Sequence, residues 1–121
     1  MGGWSRLNRL RNTESFGKER KTGELLANLC AEVARWQAVA GRHFLIENPR
    51  GSEMFKLASF YQLKAAVHVV EVTFPQCAVG LQSPDGEPIQ KYTTLWASDE
   101  ALIQDFRYLE CDHTKHWALE G

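Results

Sequence analysis

Gly41-Arg42-His43-Phe44-Leu45-Ile46-Glu47-Asn48-Pro49 is the stretch on which the reading of this chain turns. Phe44, Leu45 and Ile46 form a short, almost continuous apolar run closed by Asn48-Pro49, the pattern of a strand buried in a parallel sheet, here over 43–47. A strand ending this way places an acid and an amide at the carboxyl edge of the sheet, where open α/β folds bind their ligands.

Upstream, Leu25, Leu26, Leu29, Val33, Trp36 and Ala40 recur at spacings of three and four. This periodicity predicts a helix from Thr22 with those side chains on its buried face, Thr22 as its cap and Gly41 as its stop. Arg35 and Arg42 suit the negative end of its dipole. Downstream, Ser52 is positioned to cap a second helix over 52–63, and the β-branched residues over 67–74 predict a second strand bounded by Pro75. Pro84-Asp85-Gly86 marks the apex of a long loop or wide hairpin over 76–90. A third strand is expected over 92–96, then a helix over 101–109 started by Ser98 and Asp99. The order helix, strand, helix, strand, loop, strand, helix predicts an α/β fold: one half of an open, doubly wound, mainly parallel sheet. Residues 1–21 read as a basic irregular arm ahead of one domain over 22–121.

With 121 residues, 44% hydrophobic and 24% charged, the chain has the composition of an ordinary globular domain with one modest core. A net charge of -1 gives no general reason to expect a nucleic-acid or membrane partner, yet the charges are unevenly placed. Arg6, Arg9, Arg11, Lys18, Arg20 and Lys21 face only Glu14 and Glu19, so the amino-terminal end is a candidate phosphate-binding arm. Cys30, Cys77 and Cys111 are odd in number and widely spaced, and no secretory signal precedes them, which favours an intracellular compartment, cytoplasm or nucleus. No apolar run approaches the ~18 to 20 residues needed to cross a bilayer, so no membrane partner is expected.

Three local patterns occur in an informative order: Gly3-Trp4-Ser5-Arg6-Leu7-Asn8, Glu47-Asn48-Pro49, and Gln76-Cys77-Ala78-Val79-Gly80 followed by the stretch from Ile89 to Trp96. Together they resemble the cytosine-5 DNA methyltransferases, and more closely the divergent methyltransferase-like domains of phages and of mobile-element polyproteins. The first resembles the polar loop after the family's Pro-Cys dipeptide, the second its Glu-Asn-Val motif, and the third its divergent Cys-x-x-Gly loop and Arg-Lys-x-Thr strand. Tyr92 departs from the Pro common in the divergent members.

The resemblance implies an incomplete Rossmann-like methyltransferase fold, the C-terminal part of a domain whose earlier half precedes Met1. Carbon 5 of cytosine is unreactive until a thiolate adds to carbon 6, so the reaction needs a nucleophile and an acid. By resemblance Glu47 is the group that stabilises protonation at the ring nitrogen and holds the exocyclic amine, while Asn48 and Pro49 shape the pocket for the extruded base. Lys91, with Thr93 and Thr94, falls where the family contacts the target nucleotide and its phosphates; Ser5, Arg6 and Arg9 complete the expected nucleic-acid-binding set.

Two absences limit this chemistry. The chain has no Pro-Cys dipeptide and no G-x-G-x-x-G, so neither the nucleophile nor S-adenosylmethionine binding is expected of this chain alone. The expected function is therefore that of a methyltransferase-like part without activity by itself. The alternatives are one half of a split enzyme, partnered by an N-terminal methyltransferase half or a parent polyprotein, and a small DNA-binding or interaction module. Cys77 lies on a different loop from the family nucleophile and reads as structural. Cys111, His113 and His116 share a short tail and with Cys77 add up to four metal ligands. Zinc sites usually present paired ligands at two separated spots, so the sequence assigns no metal here and leaves the tail open.

Overall fold

The computed structural model describes residues 13–117, and the chain divides into two compact units. One comprises 13–42 and 51–67; the other comprises His43–Arg50 and 68–117. Among the described residues no helix is long and apolar enough to cross a membrane.

The first unit is helical. Helix α1 spans Thr13–Val39, so it begins ahead of the expected start at Thr22. Gly17 and Gly23 argue against helix at about 1 kcal/mol each, and that cost is overridden here. Thr22 does not cap: its hydroxyl donates to the Lys18 carbonyl one turn back. The C-terminal stop is as expected, with Gly41 at φ 77° and bonds from Gly41 N to Ala38 O and from Arg42 N to Gln37 O, the paired bonds of a Schellman motif. Helix α2, Ala58–Ala66, follows a 3-10 turn, Glu53–Lys56, whose Met54 N–H is accepted by Ser52 Oγ.

The buried face of α1 is not the one that periodicity suggests. Ala27, Ala31 and Ala34 are buried, whereas Leu25 is 70% exposed, Leu29 52% and Trp36 57%. The alanines, at i, i+4 and i+7, form a narrow stripe that lets α1 approach α2 closely, and the large buried side chains of this unit come from Met54, Phe60 and Leu63. Ser59 Oγ donates to Asn28 Oδ1 at 2.6 Å, and the Arg20 guanidinium pairs with Glu24 and with Glu53.

The second unit is a three-stranded sheet in the order β1-β3-β2, with β1 Leu45–Pro49, β2 Val70–Pro75 and β3 Tyr92–Ala97. Both pairings are antiparallel, which overturns the expected doubly wound, mainly parallel sheet. Residues 76–91 explain the difference. They hold a 3-10 turn, Gln76–Val79, a Gln82–Pro88 bridge and a turn closed by Gly86 N to Ser83 O, so the chain doubles back and β3 enters between its predecessors. The strand buried on both faces is consequently β3, while β1 is an edge strand with Leu45 53% exposed. An edge position also tolerates Pro49, which has no N–H to contribute to the ladder.

One sheet face carries Val72, Phe74, Leu95 and Ala97, packed with Ile103 and flanked by Val70, Phe106 and Leu109. The Phe74 and Phe106 rings stack at 4.9 Å between centroids. The other face carries cross-strand polar pairs: Thr73 Oγ1 lies 2.8 Å from Thr94 Oγ1, and Trp96 Nε1 donates to Glu71 at 2.6 Å. The helix expected over 101–109 is instead two short 3-10 turns, Glu100–Leu102 and Gln104–Phe106, the first capped by Asp99. Ile103, Phe106 and Leu109 recur every three residues, the 3-10 period, so the tighter coil keeps all three on the sheet. Arg107 fastens the segment by gripping the Glu100 carboxylate and donating to Glu71 O at 2.9 Å, and this contact holds the Glu100 carboxyl below the usual carboxylate range.

Candidate functional site

Because β1 and β2 each run antiparallel to β3, they run in the same direction as one another. Their carboxyl ends and the amino end of β3 therefore meet at one rim of the sheet. Register fixes the neighbours there: Pro49 and Phe74 both stand opposite Thr93, and Pro75 stands opposite Tyr92.

Glu47 is exposed on this rim and Thr93 is buried at 1% exposure. The Thr93 hydroxyl donates to Glu47 Oε1 and also lies 3.2 Å from Asn48 O. Glu47 thus has one oxygen held by a fixed hydroxyl, and its second oxygen has no partner among the described residues. Asn48 is partly buried and Pro49 is exposed, so they flank an open ledge rather than line a closed pocket. Lys91 immediately precedes β3, and its carbonyl accepts from Gln76 N at 2.8 Å. Its side chain is exposed, and among the described residues no carboxylate pairs with it. Thr93, rather than Lys91, is the residue that meets Glu47. Ser5, Arg6 and Arg9 lie outside the described residues.

Sequence reading passed over Arg50. Its N–H donates to Tyr92 O at 3.1 Å and its guanidinium carbon sits 3.9 Å from the centre of the Tyr92 ring, a cation–π pair. Tyr92 thereby holds Arg50 on the rim as a stacked, oriented cation. The nearest signal in the sequence is the Arg that directly follows Asn48-Pro49.

The same rim ends at Cys77, in the 3-10 turn that follows Pro75, with Gly80 at φ 99° closing the turn. Cys77 is buried, and that burial pushes its thiol pKa up. The tail brings three more ligand-type side chains to it. Cys77 Sγ lies 3.4 Å from Cys111 Sγ and 3.8 Å from His116 Nε2; Cys111 Sγ lies 3.6 Å from His113 Nδ1 and 3.0 Å from His116 Nε2. All four donor atoms fall within 4.8 Å of one another. The tail is tied down a second time by a bond from Trp117 N to Pro88 O at 2.8 Å. Comparison with protein-family models, with curated proteins and with solved structures returns no match for this chain, so the geometry of this rim is what speaks to function.

Proposed function

We propose that the chain is the C-terminal part of a divergent cytosine-5 DNA methyltransferase-like domain, a base-reading ledge that does not methylate alone. The observation that carries this reading is the Glu47–Thr93 hydrogen bond, which joins two motifs 46 residues apart in the sequence. A carboxylate held by a fixed hydroxyl, with its other oxygen open, accepts from the exocyclic amine of cytosine; thymine offers a carbonyl at that position and is repelled. Arg50 and Lys91 supply positive charge beside it for the phosphates of an extruded nucleotide. The chain has neither a Pro-Cys dipeptide nor a G-x-G-x-x-G turn, so this reading assigns it neither the nucleophile nor the S-adenosylmethionine site of the family. Its three free thiols support a reducing compartment, cytoplasm or nucleus.

The exposed stripe of Leu25, Leu29, Val33 and Trp36 favours a second reading, in which the half bearing nucleophile and cofactor docks on α1 and completes a split enzyme. Methylation that arises only on mixing the two halves, and is lost when Leu29 and Trp36 are replaced by Glu, would separate it from an inert part.

The base-reading test uses fluorescence anisotropy with a DNA duplex that presents either an extrahelical cytosine or an extrahelical thymine. The chain is expected to prefer cytosine by about 1 to 3 kcal/mol, a factor of about 5 to 150, and Glu47→Gln to abolish that preference. Equal affinity for both bases, unchanged by Glu47→Gln and falling steeply with salt, would instead mark a phosphate-binding module built on the basic arm and Lys91.

A further inference from the structure

We infer that Cys77, Cys111, His113 and His116 form a closed, tetrahedral zinc site that fastens the tail to the turn after β2. It is independent of the nucleic-acid reading.

Four considerations carry it. First, zinc bound to Cys at about 2.3 Å and to His at about 2.0 to 2.1 Å spaces its ligand atoms about 3.3 to 3.8 Å apart around a tetrahedron. Four of the six separations here run from 3.0 to 3.8 Å, and all six fall within 4.8 Å. Second, the donor set is two thiols and two imidazoles, which suits zinc over the harder, oxygen-seeking calcium and magnesium. Third, each imidazole presents one nitrogen to the cluster, Nδ1 from His113 and Nε2 from His116. The other nitrogen of His113 lies 3.9 Å from the Asp112 carboxylate, on the side where second-layer partners of metal-bound histidines stand. Fourth, the ligands come from two parts of the chain, one at the end of β2 and three in the tail, so one ion joins segments 34 residues apart.

Four protein ligands leave no open coordination position, so the ion is structural rather than catalytic. Its placement bears on the rim. Cys77 adjoins Gln76, whose N–H bonds to Lys91 O, and Tyr92 and Thr93 follow directly. An ion at Cys77 therefore fixes the turn that sets the amino end of β3. A disulfide between Cys77 and Cys111 is the competing account of the same pair. Their sulfurs stand 3.4 Å apart, against about 2.05 Å for a disulfide bond, and a disulfide would leave the convergence of both histidines without a reason.

The test uses the full chain purified under reducing conditions, stripped with a chelator, then titrated with zinc against a chromophoric competitor and separately with cobalt(II). One equivalent of zinc is expected to bind tightly, and cobalt to give the visible bands of a tetrahedral ion with a thiolate charge-transfer band. Cys30→Ser should leave both unchanged, while Cys111→Ser and His116→Ala should lose the site. Because Cys77 is buried and its replacement risks the fold itself, exposed His113→Ala is the safer probe; it should retain its far-UV dichroism yet bind zinc more weakly. The inference is overturned if the wild-type chain takes up no more zinc than Cys111→Ser, if cobalt binds without a thiolate band, or if Cys77 and Cys111 prove to be joined by a disulfide in the reduced preparation.

Discussion

Phe60→Ala is expected to lower stability by about 3 to 5 kcal/mol, read as a fall in the urea midpoint, while Leu29→Ala stays within about 0.5 kcal/mol. Phe60 is 0% exposed and meets the Phe55 ring edge to face at 5.7 Å between centroids. Its removal forfeits the transfer energy of a whole ring and leaves a cavity between elements that α1 alone cannot fill. Leu29 is an ordinary core residue by sequence pattern but is half exposed in the structure, so truncating it removes little buried surface. Domains of this size have about 5 to 15 kcal/mol in total, so the Phe60 loss is a large share of the whole. A Leu29→Ala cost rivalling that of Phe60→Ala would mean that the faces of α1 are reversed.

Metal removal is the second large effect. Closing a loop of 34 residues restricts the unfolded chain by about 3 to 5 kcal/mol in the loop-entropy account, and zinc does through coordination what a covalent bridge does. Mass action gives a similar figure, about 2.7 kcal/mol when free zinc stands at a hundred times its dissociation constant. Thermal unfolding followed with and without a strong chelator should therefore differ by about 3 kcal/mol in the wild-type chain. The Cys111→Ser chain should show no such difference. A wild-type transition insensitive to the chelator would leave the four side chains as a coincidence of the tail.

Much of the local structure was legible in the sequence, and where it was not the reasons are physical. Gly41 as a helix stop and the turn around Pro84-Asp85-Gly86 were readable because each depends on a few adjacent residues, and Ser52 and Asp99 do cap, though they start 3-10 turns rather than the helices expected. The sheet topology was not, because an apolar strand such as Phe44-Leu45-Ile46 looks the same to a parallel or an antiparallel neighbour. Strand direction was decided by the hairpin over 76–91. The inner face of α1 was misread because small residues carry a weak hydrophobic signal, although Ala27, Ala31 and Ala34 are what allow close approach. At the rim, Glu47 and Thr93 were both singled out by resemblance, yet only the register of β1 against β3 brings them together. Cys77 could be grouped with the ligand-type residues of the tail from the sequence, but no metal was assigned there, because proximity across 34 residues is a property of the fold.

A double-mutant cycle on Glu47 and Thr93, measured as affinity for the duplex with an extrahelical cytosine, probes the proposed base-reading role most directly. Thr93→Val keeps the side-chain volume at a buried position and deletes only the hydroxyl that orients the carboxylate. If the two side chains act as one unit, the double variant should bind no worse than Glu47→Gln alone, with a coupling of about 0.5 to 3 kcal/mol. Losses that simply add, or an affinity that neither substitution changes, would contradict it.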